Sequence, residues 1–167
     1  LFDMPVEQIG VVIHPQSIIH SMVELVDGGI IAQMSVPDMK GAISYAISYP
    51  DRLEDIMTGL NFAELGGLTF EEPDLDKYRS LALAFDALKA GGTIPAVLNT
   101  ANEVAVDAFL NGEIPFTGIS GLVSDTMDAH DITGGDTVEE VIGASNRAMQ
   151  KANEIIKAIS AKEDIKI

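Results

Sequence analysis

The most constraining feature of the sequence is a long amphipathic segment in its last third. Thr137 is followed three residues later by Glu140, the spacing of a capping box, in which two side chains satisfy free backbone N–H groups at a helix start. A mostly apolar stripe then recurs at helical spacing: Val138, Val141, Ile142, Ser145, Met149, Ala152, Ile156 and Ile159. The pattern predicts a helix, with Thr137 as N-cap, that buries this stripe against other helices.

Three further amphipathic helices are predicted upstream. They cover about residues 74–90, 95–110 and 117–127, and glycines follow the first two. The predicted inner face of the first helix contains Tyr78, Leu81, Ala82, Phe85 and Leu88. That of the second contains Val97, Ala101, Val104, Ala108 and Phe109. Four such helices with short links predict a four-helix bundle.

The beginning of the chain predicts strands. Residues 9–13 form a short β-branched run typical of a buried strand, and Pro15 predicts a bend over residues 14–17. Two strands, residues 19–26 and 30–34, flank a hairpin turn signal, Asp27-Gly28-Gly29. Because two antiparallel strands alone are marginal in water, this hairpin needs a larger sheet.

A helix and a long connector follow the hairpin. Pro37 suits a first helical turn, and the pattern predicts a helix from about residue 38 to residue 49. Residues 51–75 show no sustained period, although residues 68–70 could form a short strand. The expected fold class is α+β, with an antiparallel hairpin and helix from a partial sheet domain, a connector and a helical bundle.

The balance of charge argues against several classes of partner. The 167 residues include 26 acidic and 10 basic side chains, a formal net charge of −16. Such a chain repels phosphate backbones and anionic lipid, so we expect neither nucleic-acid binding nor membrane association. No apolar run approaches the roughly 20 residues that cross a bilayer, and no signal peptide is visible. The sequence has no cysteine, which fits a reducing cytoplasm.

Two of the three histidines, His14 and His20, lie in one short apolar window. With a carboxylate they could hold a metal, but hydrogen bonding at a strand end or pocket wall is the favoured interpretation. Gln16 and Ser17 add neutral polar groups that suit a sugar hydroxyl or a phosphate, or the capping of a bend.

Two residues near the predicted helix start could also bind ligands. Asp38 is more consistent with a capping carboxylate than with a catalytic one. Met39 could face a flat ring, because its thioether is adaptable and polarisable, or it could pack in a core.

Four strings in the sequence resemble the 1-deoxy-D-xylulose 5-phosphate reductoisomerase family. They are His14-Pro-Gln-Ser-Ile-Ile-His20-Ser-Met22, Pro37-Asp38-Met39, Leu68-Thr-Phe-Glu-Glu-Pro-Asp74 and Ala96-Val-Leu-Asn-Thr-Ala-Asn-Glu-Val-Ala-Val106. They occur in family order, and the resemblance extends from Leu1 to about Ala161. Ser35 stands where a glycine is common in the family, and Lys40 replaces a frequent arginine.

The resemblance implies the organisation and activity of a whole enzyme. Residues 1–50 would be the tail of a central catalytic and dimerisation domain, residues 51–74 a connector and residues 75–167 a C-terminal helical bundle. The enzyme would convert 1-deoxy-D-xylulose 5-phosphate to 2-C-methyl-D-erythritol 4-phosphate in non-mevalonate isoprenoid biosynthesis, using NADPH and Mg²⁺ or Mn²⁺.

In the family, the NADPH-binding domain and the metal ligands precede the segment that begins at Leu1. We therefore expect no catalytic residue and no metal ligand in this chain, no tight cofactor binding by it alone, and no turnover without the remainder of the enzyme.

The resemblance also assigns roles to individual residues. His20 would support substrate binding, and Ser17 would lie near the phosphate pocket, with His14 and Gln16 in the same substrate pocket. Pro37 and Met39 would contact the nicotinamide ring.

The central sheet of the family forms the homodimer contact, so residues 19–34 are an expected interface. The alternative function is a non-catalytic acidic module for dimerisation or protein interaction. A native start codon at Leu1 would favour that alternative.

Overall fold

The structure, a computed structural model, describes residues 4–164, with side chains as far as Ile159. It divides into two compact units. One is Gly10–Pro73, and the other joins the described residues before Gly10 to those from Asp74 onward. The first unit holds a two-stranded sheet and two helices, and the second holds four longer helices. The predicted α+β class is therefore confirmed.

The hairpin in the first unit follows the sequence prediction closely. Strand β1, Ile19–Glu24, pairs antiparallel with β2, Ile30–Met34. The turn requires a positive φ of 82° at Gly28, which glycine adopts without the Cβ penalty. Asp27 stabilises the turn, because its Oδ1 accepts a hydrogen bond of 2.9 Å from the Gly29 N–H.

The strand predicted over residues 9–13 is wrong. Residues 9–12 are exposed and have no strand pairing, and Ile13 alone forms an antiparallel bridge, with Glu71. The turn at residues 14–17 begins directly after Ile13, so pairing cannot continue along the chain. The strand suggested at residues 68–70 likewise reduces to the single bridging residue Glu71.

Two helices complete this unit. Helix α1, Met39–Ser48, begins at Asp38, whose side chain accepts from the Lys40 N–H, so the predicted cap and helix are confirmed. Helix α2, Phe62–Leu65, was not predicted, because four residues are too few to show a helical period. Its cap is Asn61, whose Oδ1 lies 3.1 Å from the Ala63 nitrogen.

The second unit contains the predicted bundle. Its helices are α3, Arg79–Ala90; α4, Ile94–Leu110; α5, Gly118–Asp128; and α6, Val138–Asp164. Helix α3 begins later than predicted, because residues 75–78 form turns in which Asp74 accepts hydrogen bonds from the Asp76 and Lys77 backbone. Helix α4 contacts the other three helices, and a short 3₁₀ turn, Val6–Gln8, contacts α3. No helix among the described residues is long and apolar enough to cross a membrane.

The core of the bundle uses smaller side chains than the sequence pattern suggested. On α6 the buried stripe contains Ala144, Ala148, Ala152 and Ile156, whereas the predicted inward residues Val138, Ile142 and Met149 are exposed. On α4 the side chains of Val97, Ala101, Ala105 and Ala108 are buried. Alanine at the contact lets two helices approach closely, so the larger residues lie at the edges of the contact instead.

The predicted inner faces of α3 and α4 were also partly wrong. Tyr78 and Leu88 are exposed, and Ala87 is the buried residue of α3. Phe109 lies at the surface of α4, where its ring meets Phe116 edge-on at 5.7 Å between centroids.

Candidate functional site

The largest cavity described in the first unit has a volume of about 590 Å³. It lies beside β1, β2 and the start of α1. Four of the predicted site residues line it: Ser17, His20, Pro37 and Met39. They come from three separate segments of the chain, which the hairpin and the helix cap bring together.

A β-bulge positions His20. Along β1 the register advances from Ile19 to Ser21, while along β2 it advances only from Met34 to Gln33, so His20 is the extra residue. A bulge changes the direction of side chains and is common next to binding sites. The alternation of side chains along a regular strand therefore does not predict on which side of the sheet the His20 side chain lies.

Hydrogen bonds fix the tautomer of His20. Its Nε2 lies 2.9 Å from the Ser35 Oγ, and the Ser35 hydroxyl donates to the Val36 carbonyl oxygen at 3.2 Å. Because a hydroxyl has a single proton, Ser35 must accept from a proton on Nε2. Nδ1 of the neutral ring is then left as an acceptor, which suits a ligand hydroxyl.

Ser17 lies at the end of a tight turn. Its N–H donates to the His14 carbonyl oxygen at 3.0 Å, which closes the predicted bend around Pro15. Ser17 has a φ of 51°, an uncommon conformation for a residue with a Cβ. Such backbone conformations are enriched at binding sites, and the Ser17 side chain is exposed.

Pro37 and Met39 belong to the apolar part of the cavity wall. Met39 is 69% exposed, so the core-packing alternative for its thioether is wrong. Between them, Asp38 Oδ1 accepts from the Lys40 N–H at 2.9 Å. This backbone hydrogen bond lowers the pKa of Asp38, with a smaller contribution from the Lys40 ammonium, which lies 3.5 Å from Oδ2. Asp38 therefore stays ionised as a cap.

His14 and Gln16 lie outside this cavity and contact residues 69–70. His14 Nδ1 donates to the Thr69 carbonyl oxygen at 2.8 Å, and the imidazole stacks on Phe70 at 4.7 Å. Gln16 exchanges hydrogen bonds with Thr69 through its amide nitrogen and oxygen. A smaller cavity of about 260 Å³ is lined by both His14 and His20. The substrate role of His14 and Gln16 stays a prediction.

Eight of the twelve residues that line the cavity were not predicted as site residues: Gln33, Ser35, Asp38, Gly41, Ala42, Tyr45, Arg52 and Met57. Tyr45 on α1, together with Arg52 and Met57 of the connector, completes the wall. The Arg52 guanidinium lies 4.3 Å from the Tyr45 ring centroid, a cation–π contact. Met57 packs against Gly41, where an added Cβ would lie 2.5 Å from the Met57 Cε. Tyr45 on α1, followed seven residues later by Arg52, is the one sequence signal for this wall.

The described residues contain no cluster of three or more histidine, aspartate or glutamate side chains that could hold a metal ion. The arrangement around the larger cavity is instead that of a binding wall, in which polar groups, including the charged Asp38 and Arg52, lie beside exposed apolar side chains.

Comparison with known proteins identifies the family of the chain. A family model described as the DXP reductoisomerase C-terminal domain matches residues 34–151. The chain belongs to the 1-deoxy-D-xylulose 5-phosphate reductoisomerase family. It is 54% identical over 156 residues to the reductoisomerase of Chlorobaculum tepidum and 53% identical to that of Geobacter metallireducens. These alignments cover 93% of the chain but only 41% of each relative, so the chain spans about two fifths of their length.

Solved structures of reductoisomerases share the fold. The enzyme from Zymomonas mobilis in complex with NADPH matches with a TM-score of 0.85 and 39% identity, over 93% of this chain and 41% of that one. A reductoisomerase in complex with NADPH, fosmidomycin and magnesium matches with a TM-score of 0.87 and 40% identity, over 93% and 40% of the two chains. The similarity therefore covers both compact units of the chain.

Proposed function

We propose that Gly10–Pro73 forms one wall of the substrate and nicotinamide pocket of a reductoisomerase that converts 1-deoxy-D-xylulose 5-phosphate to 2-C-methyl-D-erythritol 4-phosphate. The observation that carries the proposal is the convergence of Ser17, His20, Pro37 and Met39 on one cavity. Two of these residues are polar and two are apolar, as a pocket for a sugar phosphate beside a planar ring requires.

His20 and Ser17 would bind the sugar phosphate. The Ser35 hydroxyl accepts a hydrogen bond from the Nε2–H of His20, so Nδ1 can accept a hydrogen bond from a substrate hydroxyl. The exposed Ser17 hydroxyl can donate to a phosphate oxygen. Both groups orient the substrate, and neither transfers a proton in the proposed role.

Pro37 and Met39 would hold the nicotinamide ring of NADPH. Both side chains are exposed at the cavity, which fits contact with a flat apolar face. The cofactor, when bound, supplies the hydride that reduces the rearranged substrate. Met57 and the Tyr45–Arg52 pair support this strip from the side of the connector.

The described residues do not fit a divalent metal, since no suitable ligand cluster is present among them. The Mg²⁺ or Mn²⁺ of the reaction would therefore bind ligands supplied by the remainder of the enzyme. We accordingly propose that the 167-residue chain alone does not oxidise NADPH in the presence of substrate and Mg²⁺.

The hairpin also supports a role in assembly. Val23, Ile30 and Ile31 are each at least 60% exposed on a sheet of two strands. Because an isolated two-stranded sheet is marginal, we propose that strands from the remainder of the enzyme and a second copy of the chain cover these residues, which lie on both faces of the sheet. Residues 1–50 would then be the tail of a central domain of a cytoplasmic homodimer, residues 51–74 its connector and residues 75–167 the C-terminal domain.

A chimaeric enzyme tests the proposal. The matching 156-residue segment of the Chlorobaculum tepidum relative is replaced by this chain, and NADPH oxidation is measured with 1-deoxy-D-xylulose 5-phosphate and Mg²⁺. We expect turnover by the chimaera and none by the 167 residues alone. A correctly folded chimaera without activity would refute the enzymatic assignment and favour the non-catalytic module.

Variants of the chimaera test the individual roles. His20→Ala should raise KM for the sugar phosphate about tenfold, the cost of roughly one lost hydrogen bond. Met39→Ala should raise KM for NADPH. Met149→Ala is the control and should leave this KM unchanged, because it removes an exposed methionine that does not line the cavity. His14→Ala separates a substrate-binding role of His14 from a structural one. If His14 only holds Thr69, the variant should lose stability without a change in KM, whereas a substrate role predicts a higher KM for the sugar phosphate.

A further inference from the structure

The bundle contains a cavity that the proposed enzymatic function does not use. It has a volume of about 310 Å³ and lies beside the end of α5 and the middle of α6. Its wall includes His130, Thr133, Arg147 and Lys151. All of these residues belong to the second unit, the one that contains the four longer helices.

The charge of this wall is opposite to that of the chain. The chain as a whole has 26 acidic against 10 basic side chains, so it is acidic on average. Yet Arg147 and Lys151 lie one turn apart on α6, where like charges repel each other. Among the described residues Arg147 has no carboxylate within 4.0 Å, and Lys151 has only Glu154 at 3.8 Å. Asp131 is the acidic residue of the wall.

A partly buried hydrogen-bond network holds His130 at this wall. Its Nε2 lies 2.8 Å from the Oγ1 of Thr93, which is 1% exposed and also accepts the Thr133 N–H at 3.2 Å. The Thr93 contact uses Nε2, and Nδ1 of His130 has no protein partner among the described residues. An anion in the cavity would favour the tautomer in which Nδ1 carries the proton and the Thr93 hydroxyl donates to Nε2.

We propose that this cavity binds a phosphate group, as inorganic phosphate or as the phosphate of a small monoester. The Arg147 guanidinium supplies two parallel N–H donors and Lys151 supplies an ammonium, the pair of groups that phosphate sites commonly use. His130 Nδ1–H is a third donor. The volume also accommodates an organic part of a few carbon atoms. The Asp131 carboxylate repels the anion, so the affinity is low and bound phosphate can dissociate readily.

Titration of the ¹⁵N-labelled 167-residue chain with inorganic phosphate, at constant ionic strength set with chloride, tests the site. We expect saturable shifts of the amides in residues 129–133 and 147–151, with a Kd on the order of millimolar. Arg147→Gln should weaken binding about tenfold. Asp131→Asn should strengthen it roughly threefold, since a repulsive charge is removed. The same spectra show whether each variant is folded.

Lys157→Gln provides the matched control, because it removes one exposed positive charge from the same helix outside the cavity. It should leave the Kd unchanged. Absence of saturation, or equal weakening by Arg147→Gln and Lys157→Gln, would show only general screening and overturn the proposal. Acetate, a planar anion of lower charge, should bind more weakly than phosphate, and equal binding would overturn the assignment to phosphate.

Discussion

His20 Nε2 lies 2.9 Å from the Ser35 Oγ, whereas His14 contacts the Thr69 carbonyl oxygen through Nδ1 at 2.8 Å. A carbonyl oxygen can only accept, so His14 carries its proton on Nδ1, and its Nε2 is buried without a partner in the described part of the chain. Two histidines of one short segment therefore have opposite tautomers.

This difference is directly measurable. Long-range ¹H–¹⁵N spectra at neutral pH should assign Nε2–H to His20 and Nδ1–H to His14. Ser35→Ala should lower the Nε2–H fraction of His20 and leave His14 unchanged, because only His20 loses an acceptor. The cost in unfolding free energy should be about 0.5–1.5 kcal/mol. The same tautomer in both histidines would contradict the hydrogen-bond pattern.

Thr137 should contribute measurably to the stability of the bundle. Its Oγ1 accepts the Glu140 N–H at 3.2 Å at the start of α6. Thr137→Ala should lower the free energy of unfolding by about 1 kcal/mol in urea denaturation. Thr117→Ala is the control, because Thr117 precedes α5 without a side-chain cap hydrogen bond and should cost less. Equal costs for the two variants would remove the capping explanation.

The alanine stripe of α6 should tolerate no enlargement. Ala148 is 3% exposed in the core, so Ala148→Leu should lower the free energy of unfolding by roughly 1–3 kcal/mol through overpacking. Ala158→Leu makes the same change at an exposed position of the same helix and should stay within about 0.5 kcal/mol of the parent chain. The comparison needs only thermal or urea unfolding. A neutral Ala148→Leu would place this stripe outside the close helix contact.

The bundle should lose stability as the pH falls below about 6.5, the ordinary pKa of histidine. Burial, and then the Arg147 guanidinium, lower the pKa of His130 in the folded chain. The unfolded chain therefore binds the proton more readily, so the contribution is complete above the unfolded pKa and is lost on acidification.

Urea unfolding at pH 7.5 and pH 5.5 checks this dependence. The difference between the two pH values should be smaller in His130→Gln than in the parent chain. Both pH values lie above the ordinary pKa of carboxylates, so carboxylate titration contributes little to the difference. An identical pH dependence in the two proteins would refute the role of His130.

Local signals in the sequence predicted much of the fold. The Thr137 cap, the Asp27 turn and the Asp38 cap are interactions within a few residues, and all three are present. The reciprocal bond of the predicted capping box differs, because the Glu140 carboxylate accepts from the Asp136 N–H instead of the Thr137 N–H. The inner face of α6 was less predictable, because hydrophobicity alone ranks Ile142 above Ala144 although the close helix contact buries the alanine. Tertiary packing decides that choice.

In the candidate site, too, some features follow from the local sequence and others from tertiary contacts. Ser17 and Met39, to which the family resemblance draws attention, both line the cavity. The bulge at His20 and the stacking of Arg52 on Tyr45 depend instead on contacts across the chain. The spacing of apolar residues along the sequence does not indicate contacts of this kind. The separation of His14 from the larger cavity likewise follows from the bridge between Ile13 and Glu71.

Ile18 is the only buried residue between Gly10 and Pro73, a segment that the structure describes completely. A unit with so small a core has little free energy of its own to hold the strands that carry His20. Whatever covers the exposed face of those strands therefore also determines the shape of the cavity beside them. By thermodynamic linkage, assembly should tighten ligand binding, and ligand should strengthen assembly by the same factor.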